Sequence, residues 1–189
     1  MEQKETASKI KEEQKEKILK LSEISLWLDT YDDIFSDFDP RPYSERSLSD
    51  DFLLEAKKAA KEKSSGKIEL KFLIPDDRRN HELENVIKKR LHGHFKRHHD
   101  ILHEEMTGIV KNGVAFVAIG VLMMVLAAYV AIMAANNFLL TLVVVLLEPG
   151  GWFMLWFGLD KIFYGYNQKN SELQFYEKMT KCEISFLSI

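Results

Sequence analysis

Two long apolar runs, joined by Asn136-Asn137, constrain this chain more than any other feature. Residues 113–135 are 23 consecutive residues without a charged side chain, and residues 138–159 match them in length. As a helix, 23 residues rise about 35 Å, which is enough to cross a hydrocarbon core of about 30 Å. The alternative is a buried helix pair in a soluble protein, which fits poorly because a domain this small cannot bury two such stretches. The runs therefore predict a transmembrane helical hairpin.

The polar sequence on both sides of the hairpin predicts a small domain. Apolar side chains alternate with polar ones in three places, which predicts strands near residues 24–28, 68–74 and 182–189. A capping pair, Ser47 and Asp50, predicts a helix that ends near residue 63, and an apolar stripe from about residue 79 predicts a long helix. Because a lone strand is unstable, we expect the third strand to pair with the first two.

The predicted fold class is α+β, with a two-helix transmembrane hairpin inserted into a small cytoplasmic three-stranded α+β domain. The long helix leads from this domain into the membrane. The predicted segments are a charged N-terminal stretch, the α+β domain, the hairpin, and a helix and strand that complete the domain: 1–20, 21–112, 113–159 and 160–189. The first segment mixes Lys and Glu with few apolar side chains, so it predicts a frayed helix or disorder.

The distribution of basic side chains predicts the orientation of the hairpin. Lys111 precedes the first run and Lys161 follows the second, whereas the turn between them has no basic residue. By the positive-inside tendency, we expect two spans in the cell membrane with both termini cytoplasmic. Aromatic residues after the second run would form a belt at the inner headgroups: Trp152, Trp156, Phe157, Phe163, Tyr164 and Tyr166.

Glu148 is the one carboxylate inside the two runs, and neither run contains Lys, Arg or His. A charge near the bilayer centre costs roughly 2.5–3.5 kcal/mol, so the group needs a partner, and Tyr129 is the nearest hydrogen-bonding candidate. Pro149 and Gly150 predict a break in the helix, an arrangement also found at ion sites of transporters. A ring of Glu148 side chains in a homo-oligomer would line a cation or proton path. In the alternative interpretation, Glu148 of a kinked helix extends towards the headgroups.

Small side chains recur every four residues on the first run, at Ala127, Ala131 and Ala135. Such a ridge lets another helix approach closely. The partner would be either the second run of the same chain or a neighbouring subunit.

An acidic stretch follows the first predicted strand, and its carboxylates are candidate ligands for a divalent cation: Asp29, Asp32, Asp33, Asp37 and Asp39. Their spacing does not match a calcium-binding EF-hand loop. In the alternative interpretation, the stretch is a solvated turn in which Asp side chains cap backbone amides and pair with Arg41 and Arg46.

Histidines are concentrated in the predicted long helix. His94 and His98, and likewise His99 and His103, are four residues apart, so each pair shares a helix face. Histidine changes its charge between about pH 5 and 8, which makes pH sensing one interpretation of these pairs. Metal chelation and a plain polar helix face are the other two.

The remaining composition narrows the classes of function. A net charge of −3 argues against nucleic-acid binding, and a single cysteine, Cys182, excludes an intramolecular disulfide. The sequence contains no phosphate-binding glycine loop and no complete catalytic constellation, so we expect no cofactor and favour a non-enzyme. The sequence predicts a channel or pore whose partners are the lipid bilayer and other copies. The alternative is a membrane-anchored adaptor that recruits a cytoplasmic protein.

Overall fold

A computed structural model describes residues 23–62, 68–134 and 137–188 of the chain. Those residues form three strands and three α-helices. The strands are β1 (Glu23–Trp27), β2 (Glu69–Ile74) and β3 (Glu183–Ser188). The helices are α1 (Asp50–Glu62), α2 (His81–Met133) and α3 (Phe138–Thr180). The predicted N-terminal segment lies outside the described residues.

The three strands form one parallel sheet in the order β1-β2-β3. Leu26 of β1, Phe72 of β2 and Phe186 of β3 stand side by side in this register. Parallel neighbours require a long crossover, and α1 supplies the first while α2 and α3 together supply the second. The prediction that the last strand joins the sheet of the first two is confirmed, through pairing with β2, as is the α+β class.

The described residues form two compact units, of which the first comprises residues 23–62, 68–99 and 174–188. One face of the sheet is buried in this unit, because Leu70, Phe72 and Ile74 alternate with partly exposed residues along β2. The ring of Phe72 lies 5.1 Å from that of Phe186 and 5.9 Å from that of Phe52. A stripe on α2 is buried in the same unit: Ile87, Leu91 and Phe95. This stripe follows the apolar period predicted from the sequence.

The second unit, Asp100–Leu173, contains the remainder of α2 and α3. Both helices are long and apolar enough to cross a membrane, by length and composition. Only 11% of the most apolar window of α2 and 6% of that of α3 is buried. The apolar side chains of this unit therefore face outwards for the most part.

The predicted break in the second apolar run is wrong, because α3 is helical from Phe138 to Thr180 with Pro149 inside it. Proline removes one intrahelical donor and crowds one turn. The turns on either side keep their own hydrogen bonds, so the helix continues. Likewise α2 is one helix through Gly108 and Gly113, as expected for a rod that leads from the polar domain into the first apolar run.

Candidate functional site

The helix pair of the second unit is joined along a seam of small residues spaced seven apart. On α2, Gly113, Gly120 and Ala127 are buried. On α3, Gly151 and Gly158 are buried and Gly165 is half-buried. A seven-residue period keeps one face of each helix towards the other.

Backbones touch along this seam. A Cβ atom on Gly158 would stand 2.7 Å from the carbonyl oxygen of Gly113 and 2.8 Å from the amide nitrogen of Val117. At the other end, a Cβ atom on Gly165 would stand 2.9 Å from a methyl carbon of Ile109. Small residues at such a seam let two helices approach closely. In lipid, where no hydrophobic effect drives helices together, this close van der Waals packing stabilises the pair.

The predicted alanine ridge is only partly in this seam. Ala127 is fully buried, Ala131 is exposed, and Ala135 lies outside the described residues. Sequence reasoning missed the glycines because it searched for a four-residue period. Their seven-residue spacing was visible in both runs and was the available signal.

Glu148 is exposed on the surface of α3, flanking the seam. It precedes the seam residue Gly151 by three positions, which at about 100° per residue places it roughly 60° from the centre of the seam. Gly151 faces Met124, so Glu148 lies level with the next turn of α2, near Val125. Glu148 has no ion pair or hydrogen bond within residues 23–62, 68–134 and 137–188.

The other residues predicted around Glu148 are arranged differently. Tyr129 follows Gly120 by nine positions, which is about half a turn, so it points away from α3 and is 61% exposed. It cannot reach Glu148 of its own chain from this side of α2. Pro149 is exposed, whereas Gly150 is half-buried against the methyl group of Met123.

The acidic stretch after β1 is a braced loop. The carboxylate of Asp33 accepts hydrogen bonds from the backbone amides of Asp29 and Thr30 at 2.7 and 2.9 Å. Asp39 accepts from the guanidinium of Arg41 and from the backbone amide of Ser47.

The remaining acids of this loop have partners as well. Asp32 accepts from Tyr43 and Arg46, and Asp29 accepts from the indole nitrogen of Trp27. A carboxylate oxygen of Asp37 lies 3.9 Å from Arg46. In the part of the chain that the structure describes, no three His, Cys, Asp or Glu side chains are grouped to hold a metal ion. The contacts match the interpretation of this stretch as a capped turn.

A buried ionic network follows β2 and was not predicted. Glu84 is 3% exposed, and its carboxylate accepts two hydrogen bonds from Arg79 at 2.9 and 3.0 Å. The hydroxyl of Tyr31 also donates a hydrogen bond to Glu84, at 3.1 Å, and accepts one from the backbone amide of Asn80. Burial raises the pKa of Glu84, but the hydrogen bonds from Arg79 and Tyr31 outweigh it and hold that pKa below its usual value. Glu84 lies seven residues before Leu91 and eleven before Phe95, so helical spacing places it on the buried stripe of α2, whereas Glu82 is exposed. That spacing was the available signal.

The predicted histidine pairs differ in their surroundings. The rings of His94 and His98 lie 4.2 Å apart, and His98 stacks on Tyr176 of α3 at 5.3 Å. Nε2 of His94 is buried and has no hydrogen-bond partner within the described ranges. Burial, with the neighbouring His98, lowers the pKa of His94 to about 4. His99 acts electrostatically on Glu177, while His103 belongs to the second unit and is exposed.

Comparisons with protein-family models, with curated proteins and with solved structures found no match for this chain.

Proposed function

We propose that this chain is a two-span integral membrane protein that assembles from identical subunits and conducts protons or cations past Glu148. The observation that carries the proposal is an exposed carboxylate, without a partner in the described residues, on the outward-facing apolar surface of a helix pair.

The apolar surface of the second unit supports the membrane location. Side chains as large as Leu122, Ile132 and Leu146 are between 67% and 80% exposed there. Soluble monomers seldom expose such continuous apolar area, whereas lipid makes it favourable. Basic residues precede the first run and follow the second, whereas the turn between the runs has none. We therefore propose that the turn lies outside and both termini lie in the cytoplasm.

The depth of Glu148 supports a conducting role. It follows Phe138, the first residue of α3, by ten positions, or about 15 Å of helix. That is half the thickness of a hydrocarbon core of about 30 Å, so the carboxylate stands near the bilayer centre. A carboxylate at that depth normally faces a bundle interior or a water-filled cavity.

Neither apolar run contains a basic residue, so no ion-pair partner for Glu148 comes from the runs of its own chain. A neighbouring copy is then the source of its partner. The seam of small residues packs α2 against α3 within one chain. The flank of α3 that carries Glu148 is therefore available to pack against a neighbouring copy. Identical subunits around one axis bring their Glu148 side chains together. Carboxylates in such a ring share protons or bind a cation, as in the acidic rings of cation channels.

Flux measurements on the full chain in liposomes test this proposal. We expect proton or potassium flux with the native chain and a reduction of at least tenfold with Glu148→Gln. Leu146→Gln is the matched control, because it places the same amide at a similar depth on another flank of α3 and keeps the carboxylate. Absence of flux in the native chain, or equal flux with Glu148→Gln, would overturn the proposal.

A second candidate function is a membrane-anchored adaptor that recruits a cytoplasmic protein. The observation that favours it is the same seam, because two helices that already pack together through their glycines need no second copy to serve as a tether. An adaptor keeps its function when the hairpin is replaced by an unrelated two-span anchor. A channel loses its flux in that replacement, which separates the two candidates.

A further inference from the structure

Phe38 stands at the tip of the braced acidic loop and is 98% exposed. Its neighbour Asp37 is 91% exposed, and its ion pair with Arg46 of the same loop is long at 3.9 Å. A fully exposed phenylalanine is unfavourable in water, because burial of such a side chain is worth about 1.5–3 kcal/mol. The loop therefore presents an apolar ring with a carboxylate beside it.

The backbone on both sides of Phe38 is fixed. Before it, the carbonyl of Ser36 accepts a hydrogen bond from Arg46 at 3.0 Å. After it, the carboxylate of Asp39 is held by Arg41 and by the backbone amide of Ser47, each at 2.7 Å. An aromatic side chain on a pre-organised loop loses little conformational entropy on binding, which is a property of interface anchors.

A groove in the same unit has the complementary features. It runs between the loop segment 42–46 and α2 and consists of two adjoining cavities of about 250 and 450 Å³. Val86 lines both cavities and is 38% exposed, and Leu83 adds a second apolar side chain. Gly93 leaves open space, since nothing lies within 4 Å of the position of a Cβ atom there. A cavity of about 150 Å³ is enough for a benzene ring, so the groove has room for a phenylalanine.

The rim of the groove is basic. Lys89 and Arg90 line the larger cavity, and neither pairs with a carboxylate in the described parts of the chain. The guanidinium of Arg90 donates from Nε to the carbonyl of Arg46 at 2.9 Å, which leaves its terminal nitrogens for a ligand. Glu45 is at the same rim but interacts electrostatically with Arg41.

We propose that the groove beside Val86 is the docking site for the Phe38 tip of a second copy of this chain. The Phe38 ring of one copy fills the cavity, and its Asp37 carboxylate pairs with Lys89 and Arg90 of the other. Tip and groove adjoin on one loop, so a twofold pair makes both contacts at once. Membrane insertion of the tip is disfavoured, because Asp37 and Asp39 flank the ring and anionic headgroups repel them. This contact belongs wholly to the first unit and does not depend on conduction.

Disulfide trapping between differently tagged full-length chains in detergent tests the contact. One population carries Phe38→Cys and the other Val86→Cys, so a disulfide that contains both tags joins two copies. Phe38→Cys mixed with Leu54→Cys is the matched control, because Leu54 is 51% exposed on α1. We expect the first mixture to cross-link at least tenfold more than the control. Equal yields, or no cross-link, would overturn the proposal.

Charge reversal provides an independent measurement on exposed groups. Asp37→Lys should weaken self-association at least tenfold, and Lys89→Asp in the other copy should restore it. The measurements are made in the Glu148→Gln background as well, where docking should persist even if flux is lost. If Asp37→Lys leaves association unchanged, the pairing is wrong.

Thiol labelling of Phe38→Cys decides between occupants of the groove. We expect fast labelling at dilutions where the chain is monomeric, and labelling at least tenfold slower when copies associate. Slow labelling in the monomer would place the tip against its own chain or the micelle and overturn the proposal. Fast labelling at every concentration would show that a second copy does not cover the tip. That result would also overturn the proposal, and a different protein would then be the partner of the tip.

Discussion

Gly120 of α2 and Gly151 of α3 contact each other through their backbones. A Cβ atom on Gly120 would stand 2.7 Å from the carbonyl oxygen of Gly151, and one on Gly151 would stand 3.0 Å from the carbonyl oxygen of Gly120. Real Cβ atoms are essentially never found closer than 3.0 Å to another heavy atom, so alanine at Gly120 requires separation of the helices. Alanine at Gly151 would stand 2.7 Å from a side-chain carbon of Met124, which would have to move. The helix pair thus depends on two positions that carry no side chain at all.

Gly120→Ala should therefore destabilise the helix pair by about 1–3 kcal/mol, the usual range for an overpacked site. The matched control is Gly93→Ala in the same helix, where the new methyl group meets nothing within 4 Å. That change should stabilise the chain by roughly 0.5–1 kcal/mol, because alanine suits a helix interior better than glycine. Thermal unfolding of both variants in detergent measures the difference, and equal shifts would contradict the seam.

The elements of the fold were largely predictable from sequence periods. Alternation along Leu70, Phe72 and Ile74 predicted β2, and the stripe through Ile87, Leu91 and Phe95 predicted the start of α2. These signals are strong because one face of each element is buried while the other is solvated. The parallel direction of the strands follows only when the crossovers are known, and the prediction contained no strand direction.

The partners of polar side chains were not predictable in this way. Glu84 is buried because Tyr31, fifty-three residues earlier in the chain, and Arg79 converge on it. Its spacing to Ile87 and Leu91 places it on the buried face of α2, but that local pattern does not show which distant side chains meet it there. The proline break failed for a different reason, since Pro149 disrupts one turn and the regular turns around it preserve the helix.

Cys182 should be inert towards thiol reagents in the folded chain. The residue is 4% exposed, and burial raises the pKa of its thiol to about 12. Since the thiolate is the reactive form, labelling at pH 8 should be at least a hundredfold slower than in denaturant. Phe38→Cys in the native background supplies the exposed comparison. Rapid labelling of the native chain would contradict the burial of Cys182.

Arg79→Ala should destabilise the first unit by about 3 kcal/mol, because it removes the guanidinium from the buried carboxylate of Glu84. Among the described residues, only Tyr31 and the exposed His81, at 3.3 Å, then remain beside that carboxylate. The neighbouring Arg78 is the control. It donates one exposed hydrogen bond to the carbonyl of Asp29, so Arg78→Ala should cost about 1 kcal/mol or less. Denaturant unfolding of the two variants gives the comparison. Equal costs would show that the Arg79 and Glu84 pair adds little to stability.

The His94, His98 and Tyr176 stack should make the first unit sensitive to acid. The folded pKa of His94 is about 4, below the ordinary value of 6.5. Between those values the unfolded chain binds more protons than the folded chain. Stability is thus complete above about pH 6.5 and falls as the pH drops towards 4, by about 1–2 kcal/mol once solvent screening is allowed for. The charged groups that oppose protonation are Arg90 and Arg97 on the same helix.

Replacement of the titrating ring isolates this contribution. His94→Phe keeps an aromatic ring in the stack but cannot bind a proton, so the free energy of unfolding should change less between pH 6.5 and 4.5. Tyr176→Phe keeps His94 and should retain the native pH dependence, which separates titration from loss of packing. Unfolding by urea at several pH values measures both variants. If His94→Phe keeps the full acid dependence, another group is responsible for it. If Tyr176→Phe loses that dependence, the tyrosine hydroxyl takes part in the titration as well.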